Sequence, residues 1–330
     1  LFGPEHGVRG DLAAGEAVAS GVDEPTGVRV RSLYGERRAP SAEELDAIDV
    51  LAVDLPDIGS RYYTYLSTLA HAMRACADAG VPVVVLDRPN PLGGAVVEGG
   101  VLRPAFASFV GMHPVPARHG LTIAEYARLV NALQPACELA WAPVRGWRRA
   151  WYHDESGLPW VMPSPNIPTL ETALAYAGTC LFEGTNVSEG RGTAKPFLLI
   201  GAPWLDPSRT RMAVHTRRLA GAALRDVVFR PTASKHENEV CRGFELHVLD
   251  RSRFAPYAAA VALLDAIRRS HEEFAFREPS APGERRFVDL LAGTDELRRS
   301  EPDVDAYLER CAGEADAFRT RRAPYLIYAG

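Results

Sequence analysis

Short apolar runs ending in an acid alternate with stretches whose apolar residues recur every three or four positions. Asp49-Val-Leu-Ala-Val-Asp54 and Val81-Pro-Val-Val-Val-Leu-Asp87 have the pattern of buried parallel strands with polar C-terminal ends. Between them, residues 61–79 place Leu66, Leu69, Met73 and Cys76 at helical spacing, and Gly80 is the stop signal. Thr122 is placed to cap a helix from about Ile123 to Leu133. This strand–helix rhythm predicts an α/β fold: an open, mostly parallel, Rossmann-like sheet with helices on both faces.

The second half is more mixed. Strands are expected near 226–231 and 242–250, a helix near 255–274, and a charged amphipathic helix near 303–320. Trp141, Trp147, Trp151, Trp160 and the run Pro163-Ser-Pro-Asn-Ile-Pro168 mark an ordered crossover between the halves. The expected division is a domain over 1–170 and a smaller α/β domain over 171–330. Leu1-Phe2 reads as the end of a strand entering a motif, so a preceding strand and helix are expected outside this sequence.

A chain of 330 residues, 47% of them hydrophobic, can bury the cores of two such domains. The net charge of −5 is spread along the chain and gives no footprint for nucleic acid or an anionic membrane. No apolar run approaches the roughly 18 residues of a membrane-spanning helix. Cys76, Cys137, Cys180, Cys241 and Cys311 are widely separated, odd in number and read as buried apolar residues.

The densest polar segment is Leu181-Phe-Glu-Gly-Thr-Asn-Val-Ser-Glu-Gly-Arg-Gly-Thr193. Glu183, Asn186, Glu189 and Arg191 stand there among glycines that would let the backbone approach a ligand. Two acids argue against a phosphate nest, and neither GxGxxG nor GxxxxGKS occurs, so no dinucleotide or P-loop site is expected. Carboxylates with amides, hydroxyls and aromatics suit a neutral, hydroxyl-rich ligand such as a sugar.

Further candidates fall beyond the C-terminal ends of the strands, where open α/β sheets bind ligands. Glu5 and His6 sit in the turn Gly3-Pro-Glu-His-Gly7. Asp54, Asp57 and Arg61 follow one strand, with capping of the next helix and an i+4 ion pair as the structural alternative. Asp87, Arg88 and Asn90 lie in a proline-stiffened turn that serves either a ligand or the fold. His119 is either a ligand-orienting or a structural histidine. Tyr62, Tyr63 and Tyr65 read as packing residues. Cys and His spacings give no zinc pattern.

The chain resembles the exo-β-N-acetylmuramidase family, long known as a domain of unknown function. The matching stretches are Leu1-Phe-Gly-Pro-Glu-His-Gly-Val-Arg-Gly10, Ser32-Leu-Tyr-Gly35, Asp54-Leu-Pro-Asp-Ile-Gly-Ser-Arg-Tyr-Tyr-Thr-Tyr65 and Asp87-Arg-Pro-Asn-Pro-Leu-Gly-Gly94. Phe109-Val-Gly-Met112, Arg118-His-Gly-Leu-Thr122, Pro163–Pro168, Glu183–Thr193 and Phe287–Thr294 complete them. Pro56 stands where the family pattern carries Gln.

The resemblance implies a Rossmann-type domain and a smaller α/β domain with a cleft between them. It also implies release of N-acetylmuramic acid from the non-reducing end of peptidoglycan fragments, without cofactor or metal, on a muropeptide or disaccharide substrate. The setting would be bacterial cell-wall recycling, cytoplasmic or exported.

Such chemistry needs a general acid and a second carboxylate. Glu5 is expected as acid/base and Glu183 as second carboxylate, facing across the cleft, with Glu189 a weaker choice. The implied substrate-binding residues are His6, Arg9, Asp54, Asp57, Arg61, Asp87, Arg88, Asn90, His119, Asn166, Asn186, Glu189 and Arg191. The lactyl carboxylate calls for an arginine among Arg9, Arg61, Arg88 and Arg191. The rival readings are a metal-dependent phosphoester hydrolase using Asp54, Asp57 and Asp87, and a non-catalytic muropeptide-binding protein.

Overall fold

The computed structural model describes residues 1–214, 216–299 and 303–329. The chain divides into two compact units. One comprises Leu1–Val96, Gly120–Leu170 and Thr320–Gly330, the other Val97–His119 and Glu171–Arg319.

In the first unit the two apolar runs form the strands Leu51–Val53 and Val83–Leu86, which pair in parallel. A third parallel strand, Leu139–Ala142, adds to the far side of Val83–Leu86. Its residues are mostly exposed, so no apolar run announces it. Val83 and Val85 are fully buried at the centre of this sheet. A second sheet places Phe2–Gly3 parallel to Val28–Ser32, which pairs antiparallel with Gly21–Asp23. Phe2–Gly3 and Leu51–Val53 are end strands of their sheets, and both line a largely apolar slot of about 600 Å³.

The helix predicted over 61–79 begins at Tyr65 and ends at Ala79, with Gly80 in the left-handed conformation. Its buried stripe is the expected Leu66, Leu69, Met73 and Cys76. Residues 61–64 form turns instead. The helix Ile123–Leu133 starts with a full capping box between Thr122 and Glu125.

The second unit is built on an antiparallel sheet in which Cys241–Val248 lies between Ala222–Phe229 and Leu199–Ala202. A two-stranded ladder joins Glu98–Val101 to Pro116–Arg118. Its principal helices are Leu170–Thr179, Pro256–Ser270 and Phe287–Ala292, and Val304–Arg322 belongs to it as far as Arg319. The strands expected near 226–231 and 242–250 thus begin four residues and one residue earlier, and the helix expected to 274 stops at Ser270. All five cysteines are buried and unpaired with one another. No helix among the described residues is long and apolar enough to cross a membrane.

Candidate functional site

In the first unit the strand Phe2–Gly3 runs directly into the turn carrying Glu5 and His6. His6 holds a positive φ of 71°. Its Nδ1 lies 2.8 Å from the Leu12 carbonyl, which can only accept, so Nδ1 bears a proton. Glu5 is buried and anchored through both oxygens. The Gly15 amide donates to Oε1 at 2.9 Å and the Thr64 hydroxyl to Oε2 at 2.6 Å.

Thr64 is the N-cap residue of the helix Tyr65–Ala79 but makes no side-chain cap bond; its hydroxyl goes to Glu5 instead. Tyr34 also hydrogen-bonds Glu5, and burial together with that carboxylate raises its phenol above the ordinary range. Tyr63 and Tyr65 meet edge to face at 4.9 Å, and the His6 ring stacks 6.1 Å from Tyr63. Both phenols are raised, chiefly by burial, so they remain neutral donors. The three tyrosines are buried, as packing residues.

The other acids of this unit have settled partners. Asp57 accepts the Gly59 amide at 2.7 Å. Asp57 does not cap the following helix, which starts only at Tyr65. Arg61 is buried, its guanidinium 5.4 Å from the Tyr62 ring centre. Asp54 takes a bidentate pair from Arg88 at 2.5 and 2.9 Å on the surface. Asp23 takes one from Arg9 at 2.9 and 2.6 Å. Asp87 accepts the Thr122 hydroxyl at 2.8 Å and the Ala124 amide at 2.9 Å, fixing the start of the helix Ile123–Leu133. Asn90 is buried and bridges the Leu121 carbonyl and the Leu92 amide. Asn166 is half-buried in the Pro163–Pro168 crossover.

In the second unit the helix Leu170–Thr179 passes into a 3-10 turn, Cys180–Gly184, that presents Glu183. Arg191 donates to Glu183 Oε1 from Nε at 3.1 Å and from a terminal nitrogen at 2.7 Å. Its Nε also lies 3.5 Å from Glu189 Oε1, and the guanidinium covers the Phe197 ring at 5.0 Å. Burial opposes the charge of Arg191, but Glu183 and Glu189 outweigh it and hold the guanidinium more basic than usual. Glu189 is deeply buried and 2.6 Å from Lys235 Nζ. The Asn186 side chain donates to the Glu273 carbonyl at 2.7 Å and accepts the Ala275 amide at 2.9 Å. His119 is fully buried just after the strand Pro116–Arg118.

The glycines of this motif do not frame a ligand in the way their sequence pattern suggests. A Cβ on Gly184 would meet Val288 Cα at 2.6 Å, and one on Gly192, at φ +75°, would meet the Ala233 amide at 2.4 Å. They admit neighbouring backbone.

Sequence reasoning did not single out Thr64, Tyr34, Lys235 or His236. Tyr34 lay inside a motif, Ser32-Leu-Tyr-Gly35. The signal for Lys235 was compositional, since only two of the 37 basic residues are lysines, Lys195 and Lys235. Among the described residues, no group of three or more His, Cys, Asp or Glu side chains is arranged to hold a metal ion. Asp54, Asp57 and Asp87 each serve different partners, which gives the phosphoesterase reading no support.

Fold and clusters define a two-unit α/β protein whose half-buried and buried glutamates are held by hydroxyl, amide and arginine donors. Family models described as the N-terminal and C-terminal parts of exo-beta-N-acetylmuramidase NamZ match residues 1–171 and 174–328. The chain belongs to the exo-β-N-acetylmuramidase NamZ family. It is 42% identical to the peptidoglycan beta-N-acetylmuramidase NamZ of Bacillus subtilis (strain 168), across 99% of this chain and 79% of that protein. Two DUF1343 family proteins of Bacteroides fragilis NCTC 9343 share the fold. One has a TM-score of 0.85 at 32% identity, covering 99% of this chain and 85% of its own. The other has a TM-score of 0.76 at 30% identity, covering 93% and 82%.

Proposed function

We propose that this protein is an exo-acting β-N-acetylmuramidase that releases N-acetylmuramic acid from the non-reducing end of peptidoglycan fragments. The observation that carries this is the full-length match to both parts of the family together with 42% identity to the Bacillus subtilis enzyme. Its substrate is derived from peptidoglycan, and a muropeptide or disaccharide is the form proposed here.

Glu5 is assigned the acid/base role and Glu183 that of the second carboxylate. Two features support these assignments. Glu5 is oriented by three donors from separate parts of its unit, the preorganisation that proton transfer demands. Glu183 is the carboxylate of its motif that keeps partial exposure, with a side chain 17% accessible against 2% for Glu189. Recognition of the lactyl carboxylate is assigned to an arginine among Arg9, Arg61, Arg88 and Arg191. Arg9 and Arg88 are about half exposed in surface pairs, and such pairs exchange partners at little cost.

The test is turnover of a chromogenic β-N-acetylmuramide beside the matching β-N-acetylglucosaminide, with and without EDTA. Muramide-selective, EDTA-resistant release is expected, and Glu5→Gln or Glu183→Gln should each lower kcat by about 10²–10⁴-fold in folded protein. Loss of activity on chelation would instead favour the phosphoesterase. Binding of muramyl sugars without turnover would favour the sensor.

A further inference from the structure

The loop between the strands Ala222–Phe229 and Cys241–Val248 has an unusual backbone. Ser234, His236 and Asn238 hold φ values of 70°, 57° and 63°, a left-handed region that non-glycine residues keep only when their surroundings impose it. Contacts within the loop hold Asn238, whose amide donates to the Pro231 carbonyl at 2.8 Å, and others lead out of it to residues 182–192. Lys235 Nζ donates to the carbonyls of Phe182 at 2.7 Å, Thr185 at 3.1 Å and Val187 at 2.6 Å, and lies 2.6 Å from Glu189 Oε2. His236 Nε2 lies 2.7 Å from the Asn186 carbonyl. The Thr232 amide donates to the Gly192 carbonyl at 2.8 Å.

An ammonium has three N–H groups, and the three carbonyls take them, while Glu189 is met as an ion pair. The tetrahedral head meets carbonyls converging from several directions, a geometry that a planar guanidinium does not reproduce. In a chain whose other cations are almost all arginine, this lysine occupies a position that requires one.

The charges around it alternate. Lys235 neutralises Glu189 at 2.6 Å, so Arg191 stands off from Glu189 at 3.5 Å and gives its short contact, 2.7 Å, to Glu183. We propose that Lys235 is a positioning residue for Glu183. Its ammonium fixes the turn that carries Glu183 through three carbonyls, and by balancing Glu189 it reserves Arg191 for Glu183. This rests on reading Glu183 as a carboxylate of the muramidase reaction.

Arg191 and Glu189 face Glu183 from its own segment, and Lys235 and His236 stand in the loop between the strands Ala222–Phe229 and Cys241–Val248. Tyr176 comes from the helix leading in and Cys180 from the start of the 3-10 turn, and both are kept neutral, chiefly by burial. Asp289, on the packed helix Phe287–Ala292, is matched by Arg298 at 3.0 Å.

The experiment compares wild type with Lys235→Met, Lys235→Arg and the double variant Lys235→Met/Glu189→Gln. The readouts are kcat and KM on the chromogenic muramide, and crystal structures that show which carboxylate Arg191 contacts. Lys235→Met should lower kcat by about a hundredfold with KM changed far less. In its structure Arg191 should leave Glu183 for the uncompensated Glu189. Lys235→Arg keeps the charge and loses the carbonyl clamp, so kcat falls while Arg191 stays on Glu183. The double variant removes both charges, and in it Arg191 should again contact Glu183.

If Lys235→Met moves only the melting temperature, or Arg191 keeps its contact with Glu183 in the single variant as in the double, the proposal is overturned. Should Lys235→Met fail to fold, the double variant, which buries no unpaired charge, must still show the reduced kcat with Arg191 on Glu183. A wild type that turns over no muramide would sink the muramidase reading, and the structures of the variants would still decide whether Lys235 reserves Arg191 for Glu183.

Discussion

Asp87 is committed on every side. Besides Thr122 and Ala124 it accepts the Arg88 amide at 3.0 Å and the Tyr328 hydroxyl at 2.5 Å. Burial raises its carboxyl in spite of these four donors, so the residue is costly to keep and is kept for the contacts it makes. Asp87→Ala removes a helix-start acceptor worth about 1 kcal/mol and strands donors at about 1–3 kcal/mol. The expected outcome is a loss of about 2–4 kcal/mol in urea unfolding, with kcat of the folded enzyme nearly unchanged. A hundredfold fall in kcat at an unchanged unfolding midpoint would return Asp87 to the catalytic site. At this scale the sequence located the polar rim but not its partners. Tyr328 lies 241 residues from Asp87, and nothing local to either residue links them. The dense Glu183–Thr193 segment was legible because buried polar residues must be paired, whereas Lys235, which pairs with Glu189, sits in a later loop with nothing in its local sequence pointing back.

Elements were legible wherever apolar periodicity continued into a buried face, as in Tyr65–Ala79 and Pro256–Ser270. They were hidden where one side stayed wet, as in Leu139–Ala142. Glycines show the same limit, because a sequence does not say what a missing Cβ makes room for. Gly184 lets the turn carrying Glu183 lie against the helix Phe287–Ala292, and a Cβ there would strike main chain that no rotamer change can move. Gly184→Ala should therefore cost about 1–3 kcal/mol and lower kcat, since Glu183 shifts with the turn. Gly313, in the exposed middle of the helix Val304–Arg322, has nothing within 4 Å of its built Cβ. Gly313→Ala should stabilise the protein by about 0.5–1 kcal/mol with kcat unaltered. Equal effects of the two substitutions on unfolding midpoints would contradict this division of roles.

At the scale of the whole molecule, the chain leaves its first unit at residue 97 and returns at 120, so the Val97–His119 excursion is built into the second unit. What that excursion contributes includes Glu98. Its carboxylate accepts the Ala258 amide at 3.0 Å, at the start of the helix Pro256–Ser270 and 160 residues away in sequence. Arg118 is its register partner across the two-stranded ladder. Burial pushes the Glu98 carboxyl up to about 7 even though the helix amides and Arg118 pull it down. A carboxyl whose folded value lies above its unfolded one favours folding when protonated. Its contribution is complete below about pH 4.5 and is lost as pH rises through about 7, a difference of about 3 kcal/mol for such a shift. Glu44 is displaced the other way, down to about 2, chiefly by its hydrogen bonds with Arg37. Its contribution is therefore lost only below about pH 4.5, outside this window. Glu98→Gln keeps an acceptor for the helix start without a titrating group. Unfolding midpoints in urea measured between pH 4.5 and 8 should fall with rising pH in the wild type and stay flatter in Glu98→Gln, the variant being the more stable at pH 8. Parallel curves would mean that Glu98 remains charged in its buried position, with Arg118 and the helix amides sufficient to hold it so.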